Sequence, residues 1–174
     1  MLRLILITLS LLGISACTGL PKNVEPVKPV SVERYVGIWY EIARMDHSFE
    51  RGLSQVTATY TLRDDGGINV LNRGYNAEKG EWNQAEGKAY FVDDKSVGHL
   101  KVSFFGPFYA SYVIFGLDRQ DYQWSFVTSY NAEYVWLLAR TPTVSDELKQ
   151  RFVQEAKAIG VNTDELIWVE QKPE

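Results

Sequence analysis

The 174-residue chain has a single cysteine, Cys17, so it holds no internal disulfide and must be stabilised by packing and hydrogen bonding alone. It has only two histidines, His47 and His99, far apart and with no cysteine beside either, so no metal-ligand spacing is present. There is no nucleophile elbow, no Gly-x-x-x-x-Gly-Lys phosphate loop and no residue that reads as an axial haem ligand. Asp64-Asp65 and Asp93-Asp94 sit in turn contexts rather than as an acid–base pair. Neither catalytic residues nor a cofactor is legible. Cationic excess is missing too: 18 Lys and Arg stand against 22 Asp and Glu, for a net charge of −4. That balance argues against nucleic acid as a partner and against strong electrostatic attraction to anionic head groups. Repeats and low-complexity tracts are absent. So is any apolar run long enough to cross a bilayer, because Leu4 to Ala16 falls short of the ~20 residues required.

What that short run does fit is an export signal. Arg3 precedes it, and Ile14-Ser15-Ala16 supplies small residues directly before Cys17. The organisation read from the chain is a signal over residues 1–16, a linker over 17–32 and one folded domain over 33–174. Removing residues 1–16 takes Arg3 and no acid, so the net charge moves to −5. Pro21, Pro26 and Pro29 favour an extended, semi-rigid linker, expected to lift the domain off a membrane. The remainder suits one core, and its aromatics (ten Tyr, eight Phe, five Trp) suffice to line a cavity as well as fill that core.

From Gly37 onward short strand-like runs alternate with turns. Val56, Ala58, Tyr60 and Leu62 share one face of a period-two run, with threonines on the other. Asp64-Asp65-Gly66-Gly67 reads as a hairpin turn. Eight strands are expected, beginning near residues 39, 56, 68, 83, 100, 111, 123 and 134. A helix capped by Ser145 follows, with Leu148, Phe152, Ala156 and Ile159 on one stripe and Gly160 after its end. A short strand over Leu166-Ile167-Trp168-Val169 ends the domain. The expected class is all-β: an eight-stranded antiparallel up-and-down barrel with one C-terminal helix packed outside and a short final strand. Alternation alone does not decide whether the barrel is filled or hollow.

Three motifs carry a family resemblance. Gly37-Ile38-Trp39 resembles the Gly-x-Trp opening of lipocalins. Tyr112-Val113-Ile114 leading to Asp118 and Tyr122 resembles their second block, and Arg140 after Tyr134–Ala139 resembles the third. The resemblance is to bacterial lipocalin lipoproteins, a group related to apolipoprotein D, and it spans about residues 32–169. It implies structural roles for Gly37, Trp39, Asp118, Tyr122 and Arg140, with Arg140 stacked on Trp39 at the closed end. Together with alternation it points to Tyr60, Asn72, Phe104, Tyr112 and Trp136 as ligand-binding residues. Ala58, Gly74 and Ala89 are expected to create space, and Arg44, Met45 and Leu53 to shape the mouth. The implied ligand is a fatty acid or lysophospholipid, carried for transport or storage and without turnover. The Cys17 segment resembles a lipoprotein signal, which implies a lipid on its thiol. Thr18 stands where an Asp marks inner-membrane retention in enteric-type bacteria. The implied location is therefore the outer membrane, with the domain facing the periplasm. By analogy with relatives, a homodimer is a further expectation. Two other classes stay open: a lipocalin-fold enzyme acting on a lipid, and a barrel filled by its own aromatics that serves as an envelope scaffold.

Overall fold

The computed structural model describes residues 18–172; the signal segment and Cys17 fall outside them. A one-turn helix α1 (Val32–Tyr35) precedes eight strands: β1 (Gly37–Arg44), β2 (Leu53–Leu62), β3 (Ile68–Asn76), β4 (Glu81–Phe91), β5 (His99–Phe105), β6 (Phe108–Leu117), β7 (Trp124–Thr128) and β8 (Val135–Ala139). Helix α2 (Asp146–Ala158) and a two-residue strand β9 (Ile167–Trp168) complete the chain. Each strand pairs with its successor, and β1 pairs with both β8 and β2, which closes the barrel; β9 adds to the edge of β1. Closure leaves no long exposed edge.

Two apolar clusters lie on opposite sides of the wall. Inside, Trp39, Ala58, Tyr60, Val70, Leu100, Ile114, Val127 and Leu138 form the barrel core. Outside, Phe152 and Ala156 of α2 pack with Ala43, Phe126, Leu137 and Ala139, which is the work expected of a single apolar stripe. The Ser145 hydroxyl accepts from Leu148 N at the helix start, and Gly160 takes φ +93° just past its end.

The closed end is built by the motif residues. The Arg140 guanidinium carbon lies 3.7 Å from the centroid of the Trp39 ring. Its nitrogens donate to the carbonyls of Ile38 (2.7 Å), Arg34 (2.9 Å), Val36 (2.9 Å), Tyr35 (3.1 Å) and Tyr122 (3.3 Å). Gly37, at φ +106°, leaves room for this group: a Cβ there would sit 3.1 Å from Arg140 Nη1. Asp118 organises the β6–β7 turn, its carboxylate accepting from the backbone of Gln120, Asp121 and Gln123. Tyr122 is buried at φ +56° and accepts from Ser31 N.

The proline-rich segment is not a free spacer. Val24, Val27 and Val30 are buried. Val27 N donates to Ile114 O, Gly98 N to Val27 O, and Val30 N to Ser96 O. Farther toward the N-terminus, His99 Nε2 donates to Thr18 O and Ser111 Oγ to Gly19 O. The valines recur every third residue, the period of an extended polyproline-type strand, so one side of the segment is apolar. It docks as a strap along β5 and β6.

Replacing Arg140 with Ala leaves five carbonyls at the base without their guanidinium partner and removes the stack on Trp39. We expect a loss of about 3 kcal/mol, read as a melting temperature lower by roughly 10 °C. Arg140→Lys recovers little of it, because an ammonium cannot reproduce the planar fork. Unchanged melting in Arg140→Ala would contradict this account of the base.

Candidate functional site

The interior floor rests on the closed end. Trp39 Nε1 donates to Tyr35 O (2.8 Å), and the Tyr35 ring lies 5.1 Å from that of Trp39. Above it Tyr35, Tyr60 and Tyr112 form a phenol cluster. The Tyr35–Tyr112 hydroxyl distance is 2.8 Å and the Tyr60–Tyr112 distance 3.1 Å, and Ser125 Oγ lies 2.9 Å from the Tyr35 hydroxyl. Burial raises the Tyr35 pKa to about 12 and pushes Tyr60 and Tyr112 above the usual phenol range. The floor is uncharged at neutral pH.

Higher on the wall, each predicted residue can be placed by register. Asn72 pairs with Ala58 and Ala85, so all three face the interior with the buried Ala58. The Asn72 Oδ1 atom is buried and has no hydrogen-bond partner among the described residues. Phe104 is half-buried, and its ring lies against Gly87, where an added Cβ would approach to 2.9 Å. Trp136, on the opposite wall, is half-buried and donates from Nε1 to Glu50 Oε2 (3.2 Å). Tyr60 and Tyr112 therefore belong to one hydroxyl cluster at the floor, while Asn72, Phe104 and Trp136 belong to the wall.

The small residues behave unevenly. The space at Gly74 is taken by Leu53 and Val56, each with a side-chain atom 3.1 Å from where a Cβ would be. Ala58 and Ala89 are covered by the core. Ala85, which sequence reasoning did not single out, is solvent-exposed although it faces inward. Solvent thus enters the upper barrel along β4. The open rim consists of the loops joining β1 to β2, β3 to β4, β5 to β6 and β7 to β8.

A charged cluster was missed as well. Arg44, expected at the mouth, is 2% exposed. It donates to Glu41 Oε1 (3.0 Å) and to the Glu50 carbonyl (2.9 Å), which ties the 45–52 segment to the wall. Met45 is buried, and Leu53 fills the Gly74 slot rather than lining the entrance. His47 is buried against Tyr134 (4.6 Å), Trp136 and Phe49, and burial together with the Arg44 charge lowers its pKa to about 4. Burial, followed by the charge of Glu50, raises Glu41 well above the carboxylate range; burial also raises Glu50. One guanidinium faces two buried carboxyls. A bulge in the pairing of β1 with β8, between Glu41 and Ala43, reverses the alternation and turns Arg44 inward opposite Trp136.

Because the Glu41 pKa rises on folding, the folded state holds more protons than the unfolded chain. The stability tied to that proton is complete below the unfolded carboxylate pKa near 4.5 and is lost as pH rises toward the higher folded value. Glu41→Gln should therefore gain stability relative to the native protein between pH 5 and pH 8, by on the order of 1 kcal/mol. Denaturant melts at both pH values measure it; a flat difference would show that Glu41 is already ionised when folded.

Comparison with known proteins gives a consistent picture. A lipocalin-like domain model matches residues 30–171. The outer membrane lipoprotein Blc of Vibrio cholerae serotype O1 is 55% identical over 171 residues, covering 98% of this chain and 100% of that protein. Apolipoprotein D of Rattus norvegicus is 35% identical over 124 residues, covering 67% of this chain and 64% of that protein. Lobster apocrustacyanin A1 superposes with a TM-score of 0.64 at 22% identity, covering 88% of this chain and 94% of that one, a likeness of fold alone.

Proposed function

The chain belongs to the lipocalin family, and from that premise we propose that it is a lipid carrier of the outer membrane. In this reading it is held there by a lipid on Cys17, faces the periplasm, and takes a fatty acid or lysophospholipid in its barrel. The observation that carries the reading is the contrast between the two ends. Below, a sealed base supports a neutral phenol floor. Above, half-buried Phe104 and Trp136 stand around a wall where inward-facing Ala85 meets solvent. Such a lining suits an acyl chain, whose binding is driven by removal of apolar surface from water at ~25 cal/mol per Å² before ordering costs. The bare Asn72 acceptor favours a ligand with a hydroxyl or a protonated carboxyl group, a feature common to both candidates. The location draws on the name of the Vibrio cholerae relative, an outer membrane lipoprotein. A carrier needs no turnover, and product analysis after incubation with lipid separates it from an enzyme.

Displacement of a fluorescent fatty acid tests the pocket. Native protein should bind with a Kd on the order of micromolar or tighter. Ala85→Trp should fill the exposed inner wall, weakening binding by roughly tenfold or more, with little change in melting because Ala85 is not core. No displaceable binding by the native protein, or equal binding by Ala85→Trp, would overturn the pocket. Intact-mass measurement of membrane-extracted protein tests the anchor: residues 1–16 should be gone and acyl mass should reside on Cys17.

A further inference from the structure

The rim carries apolar side chains that the barrel does not use. Phe105 and Phe108, flanking the uncharged Gly106-Pro107 tip between β5 and β6, are 82% and 67% exposed. Across the mouth, Phe49 on the β1–β2 loop is 63% exposed. Isolated exposed apolar residues are ordinary, but two phenylalanines at one projecting tip form a patch. Lower on the outer face of the same hairpin, Lys101 Nζ lies 5.3 Å from the Tyr109 ring centroid. That order, with apolar rings at the tip and a tyrosine and lysine behind, is the order of side chains across a membrane interface.

Where the chain starts identifies the occupant. The first described residues are pinned to the outer face of this hairpin, through Ser111 Oγ to Gly19 O and His99 Nε2 to Thr18 O. Ser111 is three residues from Phe108 along β6, about 10 Å at ~3.3 Å per residue. Leu20, beside the pinned residues, is itself exposed. Thr18, the residue bonded to Cys17 in the sequence, is held on the same wall as the phenylalanine tip. A free linker would place no such restriction on the domain.

We propose that the Phe105–Phe108 tip inserts into the bilayer that holds Cys17, so that the barrel mouth faces the membrane and acyl ligands exchange without crossing bulk water. The acyl group and the phenylalanines then act as two signals on one rigid body, and a firm hold needs two. The net negative charge does not oppose it, because the contact is apolar. The inference rests on the acylation of Cys17 proposed above, but its readout requires no ligand.

With Cys17 acylated, an introduced cysteine is the sole free thiol. Nitroxide labels are placed at Phe105→Cys and, as a closed-end control in the β2–β3 turn, at Asp64→Cys. The full-length acylated protein is reconstituted in vesicles of phosphatidylethanolamine and phosphatidylglycerol. Accessibility to oxygen and to a water-soluble nickel chelate is then compared. The oxygen-to-nickel ratio should be at least about fivefold higher at 105 than at 64. Should Phe105→Cys not fold, Phe108→Cys gives the same reading. Equal ratios, with both labels in water, would overturn the proposal. So would a label at 105 shielded from both reagents before vesicles are added, which would assign the patch to a second copy. Protein lacking acyl mass removes the anchor and overturns the inference while leaving the fatty-acid displacement assay intact.

Discussion

The structure depends on one contact, the Arg140 guanidinium lying flat on Trp39. Its geometry matters more than its charge. A planar fork can cover an indole face while its edge donates to carbonyls that would otherwise be unsatisfied. Here those carbonyls come from the continuous α1–β1 stretch and from the β6–β7 turn, so the end of β8 is tied to two separate stretches of chain. Closing this end fixes everything above it. Trp39 holds Tyr35, Tyr35 is hydrogen-bonded to Tyr112, and Tyr112 to Tyr60. The depth of the barrel is thereby set, and access is left to the opposite rim.

Polar groups inside a greasy interior need a reason. The phenols cost little because each hydroxyl has a partner and stays neutral. The carboxyls are different, since burying ions is expensive even when they are paired. Arg44 spends its donors on Glu41 and on backbone carbonyls of Glu50 and Leu53. Those carbonyls belong to the segment that turns from β1 into β2 at the mouth. The cluster works as a clamp on that segment rather than as a seat for a ligand head group. Trp136 ties the same segment from the other side through Glu50, so one wall of the mouth is rigid. The rigid side faces β4, where the inner surface is open at Ala85.

Strand identity was legible because each strand buries one face, which leaves period two in the chain. Alternation together with the family resemblance pointed to Tyr60, Phe104 and Tyr112 as inner-side residues. The helix was legible from its cap, stripe and terminal glycine. What alternation cannot carry is a change of phase. The bulge after Glu41 turns Arg44 inward onto Glu41 and Glu50, whereas counting from Trp39 assigns it to the outer face. Nor does alternation report what fills a gap: Gly74 reads as space, but Leu53 and Val56 occupy it, while Ala85 remains open. The strap had a signal of a different period. Valines every third residue were overshadowed by the prolines between them, and the segment reads as a spacer unless period three is sought.

The strap changes what an N-terminal lipid can do. A free proline-rich spacer extends by ~3.1 Å per residue and would hold the barrel well clear of the surface in no fixed orientation. With Val24, Val27 and Val30 buried and the backbone bonded to Gly98 and Ile114, that slack is absent. The same strap packs into the core cluster at the closed end, through Val27 and Val30, and runs up the outside of β6 toward the open end. The residues that seal the floor are therefore continuous with the strap that leads back to Thr18. Under the proposed acylation of Cys17, orientation on the membrane becomes a property of the fold: loosening the base would free the strap, and the mouth would lose its direction before the barrel lost its shape.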